Sequence, residues 1–297
     1  MEIVISDDCS SDSSWNIINS AVAAYRKRAD AAEVVLNRND SNLGNLGNWL
    51  AICRLSHGEL LVKADGDDIS RPDRCERIAA AWTADGKRAT AISHGGSMIG
   101  PRGQRMGSMR RVSAAAPAGA VMAFSRRIHE FFGDAENLRM VDDELFALRA
   151  RMLGPELVIP DRLVSYRVGT GVSNSLLGVR EPMCRSRRYM IDTIHQARHD
   201  LDKVRARLPD AEFASWQEQL DAAEQKARSE TMLFCGETIK ERLAGFKQMG
   251  KAPLLSAWQY LKCSFLMPRP VGNAFLLAYA ITRYAIRRMK GIMTWDA

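Results

Sequence analysis

Short apolar runs that alternate with helical patterns constrain this chain more than any other feature. Glu2-Ile3-Val4-Ile5 reads as a strand that ends at Asp7-Asp8. Trp15, Ile18, Val22 and Tyr25 then recur at helical spacing, which predicts a helix over 14–28 with Ser13 as N-cap. Glu33 to Leu36 is the next strand, and the polar loop Asn37 to Gly44 leads into a helix reaching about Ser56. After His57-Gly58, the run Glu59-Leu60-Leu61-Val62-Lys63 ends in Asp65-Gly66-Asp67-Asp68, and Pro72 opens a helix to Thr83. Strand-like runs follow at 89–93, 119–124, 156–159 and 162–168, with helices at 125–132 and 142–153. This alternation predicts an α/β fold of βαβ units.

Beyond residue 180 the pattern becomes continuously helical. Met190, Ile194, Ala197, Leu201, Val204 and Leu208 keep a heptad seam. Pro209-Asp210 breaks it, and Phe213, Trp216, Leu220, Ala223 and Ala227 resume it, which predicts a helical hairpin packed on its own domain. The same seam leaves room for a homo-oligomer. The expected division is therefore 1–180 for the α/β domain and 181–297 for the hairpin and a helical tail. In that tail Arg283, Arg287, Arg288 and Lys290 follow the apolar run Ala274 to Ile281. Such a helix suits an anionic membrane surface or packs on the hairpin with its cations in water. The stretch Ala274 to Ile286 is interrupted by Thr282 and Arg283 and falls short of the roughly 20 residues that span a bilayer.

Composition narrows the function classes. Hydrophobic residues at 46% and charged residues at 26% of the 297 exclude a disordered chain. A formal net charge of +7 calls for an anionic partner. No DNA- or RNA-binding motif is present, so nucleic acid is not the expected one. Cys9, Cys53, Cys75, Cys184, Cys235 and Cys263 show no CxxC spacing. They read as unpaired thiols of a cytoplasmic protein.

Carboxylates recur where strands are expected to end, at Asp7-Asp8, Asp65-Gly66-Asp67-Asp68 and Asp142-Asp143. In open α/β sheets, ligands bind at the carboxyl ends of strands. Three carboxylates within four positions repel one another, and a turn or helix cap needs only one or two. A divalent cation of the Mg²⁺ or Mn²⁺ type, shared with a diphosphate, neutralises them. Asp143, without the Asp65–Asp68 motif upstream, reads better as an acid favoured by a helix N-terminus and nothing more.

In this order and spacing the segments resemble the family 2 glycosyltransferases, which have the GT-A fold. The carrying stretches are Ile3 to Asp12, Asn42-Leu43-Gly44 with Asn48, Gly58 to Arg74, and Val141 to Leu145 with Arg149, within about residues 1–170. The resemblance implies an inverting transferase using a UDP- or dTDP-linked sugar and a glycan or lipid-linked acceptor. It implies that Asp8 contacts the base, that Asp65 and Asp67 contact the nucleotide, and that Asp67 and Asp68 hold the metal. Asp143 would be the catalytic base, with Gly119, Ala120 and Asp142 lining the sugar and acceptor pocket. It implies action in the cytoplasm, at the inner face of the membrane where the acceptor is lipid-linked. Arg71 and Arg74 are candidates for pairing with the aspartates or phosphate, and His94 for approaching the acceptor; each also reads as structural.

Two departures stand out. Family members carry a strand and helix before the Ile3-Val4-Ile5 equivalent, between it and the Glu59–Lys63 strand. The expectation is a start recorded too late or a decayed copy, which would make a non-catalytic binding protein the alternative function. No His follows Tyr166-Arg167 before His195, so water is expected where relatives use a late His ligand.

Overall fold

The computed structural model describes residues 1–109, 119–168 and 180–248. The alternation predicts the element order well. β1 (Glu2–Asp7) and β2 (Glu33–Arg38) form a parallel pair, with α1 (Ser14–Tyr25) as the crossover. Ser13 makes no capping bond through its side chain. Asp12 accepts the Ser14 N–H instead, at 2.9 Å. α2 (Gly44–Leu55) follows, then β3 (Leu60–Val62), β4 (Ile69–Ser70) and α3 (Arg74–Ala84).

The second sheet runs β3-β7-β5-β8-β4, with β6 (Arg105–Ser108) paired to β5 (Ala91–Ile99). β7 is Met122–Ser125, preceded by a 3-10 turn over Gly119–Val121. β8 (Glu156–Arg167) lies parallel to β5, and the other pairings are antiparallel. The expected strands at 156–159 and 162–168 are thus one long strand. Its register with β5 jumps from His94↔Ile159 to Gly95↔Arg162. Pro160 lies in the bulge, where its missing N–H costs no ladder bond. Among the described residues no ladder joins β1 to β3. The Glu2 carboxylate instead accepts the His57 and Gly58 N–H groups, at 2.6 and 2.7 Å.

Alternation along β7 builds two cores. Met122 and Phe124 face α2 and α5 (Asp142–Leu153), while Ala123 joins Ile78 and Trp82 of α3. Trp49, Phe124 and Phe146 form an aromatic trio with centroids 5.6–6.4 Å apart. Truncating one such ring to alanine costs about 3–5 kcal/mol. The short α4 (Arg127–Phe132) closes this layer.

α6 (Arg180–Val204) and α7 (Asp210–Cys235) form the hairpin, and α8 (Ile239–Gln248) packs on α7. The seam residues Ile194, Ala197, Leu201, Val204, Trp216, Leu220 and Ala227 enter the same core as α5. Arg149 of α5 and Asp200 of α6 form a fully buried ion pair at 2.7 Å. One expectation is overturned: Cys184 and Cys235, 51 residues apart, form a disulfide between α6 and the end of α7. Cys9, Cys53 and Cys75 are free thiols. No helix of the described residues is long and apolar enough to cross a membrane. The basic segment Arg283–Lys290 and Cys263 lie outside the described residues.

Candidate active site

The acidic turn begins where β3 runs out. Lys63 N–H still bonds to Met122 O, and the chain then turns with Asp68 N–H on Asp65 O. β4 and the Arg71 N–H, bonded to Leu163 O, lay the segment against β8. Arg167 braces the turn from the end of β8. Its N–H donates to Asp68 Oδ1 at 2.7 Å, its Nε to Asp67 O, and its Nη1 to Gly100 O and Pro101 O.

Asp68 Oδ2 is buried and has no hydrogen-bond partner. Burial, with Asp67 and Asp65 nearby, pushes the Asp68 carboxyl up to about 6 against the opposing Arg167 N–H. Asp65 is also raised, by burial first and then by the charges of Asp143 and Asp67. The turn therefore shares one electrostatic neighbourhood with the start of α5.

Asp142 and Asp143 occupy the first turn of α5, where free N–H groups and the helix dipole favour anions. No side chain caps this helix at Val141; the Val141 N–H is taken by Thr193 Oγ1 of α6, so the hairpin braces the loop that delivers the pair. Lys63 Nζ reaches Asp142 Oδ2 at 2.5 Å and Asp143 Oδ1 at 2.7 Å, and lies 5.8 Å from the Trp49 ring centroid. Burial opposes charge on Lys63, but Asp142 and Asp143 outweigh it and hold the ammonium well above the usual lysine range. The same burial raises Asp142, and Lys63 works against that rise. Asp143 Oδ2 accepts the Gly119 N–H at 2.8 Å. Its side chain keeps 28% exposure, against 10% for Asp142 and 12% for Lys63.

Arg74 ties these parts together from beneath. Only 2% exposed, it donates Nη2 to Lys63 O and Ala120 O, Nη1 to Ser70 Oγ, and Nε to His94 Nε2. Because a guanidinium only donates, His94 Nε2 is the acceptor, and Nδ1–H faces Gly95 O at 2.8 Å. Burial drives His94 down to about 4, which keeps it neutral. Both residues thus support the backbone around the site, and Arg71 pairs with Asp73 instead of the motif aspartates.

Asp8 stands apart from this set. Its carboxylate accepts Leu43 N–H and Gly44 N–H at 2.8 Å and Asn39 Nδ2 at 2.9 Å, at the start of α2. Asn42 Nδ2 donates to Asp8 O, and Asn48 bonds Ser6 at the end of β1. Asp8 is connected to the acidic cluster through α2, whose Trp49 underlies Lys63.

Sequence reasoning missed Lys63 and the bracing by Arg167. A charged residue closing the apolar run Leu60-Leu61-Val62 was the available signal for Lys63. A cavity of about 590 Å³ lined by His57, Glu59, Lys87 and Arg126 lies at the opposite end of β3 and includes none of these aspartates.

Known structures share this architecture. S. aureus TarS, residues 1–349, is 15% identical with a TM-score of 0.53, covering 96% of this chain and 82% of that one. The mannosyltransferase PcManGT from Pyrobaculum calidifontis, in complex with GDP-Man and Mn²⁺, is 18% identical with a TM-score of 0.51. That match covers 99% of this chain and 78% of the other. The fold is therefore that of the GT-A glycosyltransferases, with a helical C-terminal region. No curated protein matches the chain in sequence. The profile described as glycosyl transferase family 2 matches residues 1–151, half of the 297-residue chain. The chain belongs to glycosyl transferase family 2, and its activity class is that of a glycosyltransferase.

Proposed function

We propose that this glycosyltransferase moves a sugar, with inversion, from a UDP- or dTDP-linked donor to a glycan or lipid-linked acceptor. The observation that carries the reading is Asp143. It is a partly exposed carboxylate held by two donors at a helix N-terminus, beside the acidic turn Asp65–Asp68. The acceptor hydroxyl oxygen bonds to the anomeric carbon, and Asp143 takes the hydroxyl proton. The bond from that carbon to the diphosphate oxygen breaks, and the nucleoside diphosphate leaves with the electron pair.

Asp68, with Asp67, would hold Mg²⁺ or Mn²⁺. The buried and unpartnered Asp68 Oδ2 fits a hard cation. Among the described residues no three His, Cys, Asp or Glu side chains gather into a complete cage. That suits a cation whose remaining ligands are diphosphate oxygens and water. When bound, such an ion supplies neutralisation of charge on the leaving diphosphate. Mn²⁺ and a sugar nucleotide are held together by the mannosyltransferase that shares the fold, and the same class of donor is assigned here. Asp65 and Asp67 would contact the nucleotide, and Gly119 and Ala120 the sugar. Asp8 keeps lone-pair capacity on Oδ2, which takes one backbone N–H, for the ring N–H of uracil or thymine.

A lipid-linked acceptor at the cytoplasmic face of the membrane would suit the basic segment Arg283–Lys290. Asp143→Asn tests the base directly. It should lower turnover by roughly two to four orders of magnitude with an unchanged unfolding midpoint. Wild-type turnover in that variant would remove Asp143 as the base, whereas a wild-type protein that turns over no sugar nucleotide would favour a non-catalytic binding protein.

A further inference from the structure

We propose that Lys63 is a positioning residue for the transfer reaction. It clamps the Asp143 carboxylate from one side while the Gly119 N–H clamps it from the other, and Asp142 anchors the clamp. This rests on the reading of Asp143 as the base. A lysine ending a buried strand must find counter-charge, because a buried ammonium without a partner is costly. Lys63 finds two carboxylates and an aromatic face, with distances of 2.5 Å to Asp142 and 2.7 Å to Asp143.

A carboxylate held at one oxygen can still swing about its Cβ–Cγ bond. One held at both cannot. Asp143 Oδ1 is fixed by Lys63 and Oδ2 by Gly119, so the plane of the group is set. Each oxygen retains a further lone pair, and the exposed side is the one a hydroxyl can approach. Asp142 is more enclosed than Asp143, and its Oδ2 accepts the shorter of the two Lys63 contacts. It therefore serves the base at one remove, a different role from the sugar contact its position had implied. The clamp also explains why residue 119 is glycine. A Cβ there would lie 2.4 Å from Lys63 Nζ and 2.1 Å from Asp143 Oδ1.

Two variants of the full chain separate positioning from simple neutralisation. Lys63→Met alone strands Asp142 in a buried place and can lose the fold. Lys63→Met combined with Asp142→Asn removes both charges and restores the balance. Turnover is read as UDP or dTDP released from UDP-glucose or dTDP-glucose with Mn²⁺, beside thermal unfolding and an Asp143→Asn control. The expected result is a double variant that melts near wild type, keeps donor KM within about twofold, and loses kcat by about tenfold or more. A double variant with wild-type kcat, beside an inactive Asp143→Asn, overturns the clamp and leaves the base standing. A fully active Asp143→Asn overturns both.

Discussion

Replacing Gly119 by alanine adds one methyl group at the tightest point of the site. The Cβ would sit 2.1 Å from Asp143 Oδ1, 2.4 Å from Lys63 Nζ and 2.9 Å from Asp143 Cγ, where ordinary contact begins near 3.4 Å. Gly119 lies outside the left-handed region, so alanine meets no backbone penalty and the effect is purely steric. Asp143 or the 3-10 turn must give way by roughly 1 Å or more, and a displacement of that size costs about 100-fold in rate. Overpacking elsewhere costs about 1–3 kcal/mol, and partly exposed Asp143 can move toward solvent, so the stability loss should fall at the low end. Steady-state release of nucleoside diphosphate and a urea unfolding curve measure the two effects on one sample. A Gly119→Ala protein with wild-type kcat would show that Asp143 need not be held where the structure holds it. A protein that unfolds outright would show that the turn, not the carboxylate, absorbs the strain.

Breaking the buried Arg149–Asp200 pair by Asp200→Leu should cost about 3–5 kcal/mol in urea unfolding, because Arg149 is left enclosed without counter-charge. A loss below about 1 kcal/mol would contradict the view that this pair locks the hairpin to α5. Glu224 is held down to about 2, chiefly by its bond to Arg228, then by His195 and Arg198 against an opposing burial effect. Its contribution is complete above the ordinary glutamate value of 4.5 and is lost as pH falls toward 2. Arg228 and His195 are half exposed, so screening limits this to about 1 kcal/mol. Glu224→Gln should flatten the stability curve across that acid window, and an unchanged acid slope would refute the assignment.

The alternation of strand and helix was legible because period and turn residues agree over most elements; α5, expected at 142–153, is found there. β8 was misread as two strands because Pro160 looks like a terminator, whereas a bulge accommodates it. The disulfide was not legible, since partners 51 residues apart meet only once α6 and α7 pack. At the site, the acidic residues announced themselves by crowding, which is a local property. Their supports did not. Lys63, Arg74 and Arg167 act through contacts that cross 79, 46 and 99 residues of chain, so only the fold assigns their partners.

Calorimetric titration of UDP, dTDP and GDP into the wild-type and Asp68→Asn proteins, each with and without Mn²⁺, reaches the central claim most directly. The account predicts that a nucleoside diphosphate binds wild type only when Mn²⁺ is present, and that Asp68→Asn removes the Mn²⁺-dependent heat while leaving the fold intact. Nucleotide binding that ignores both the cation and the loss of Asp68 would contradict it.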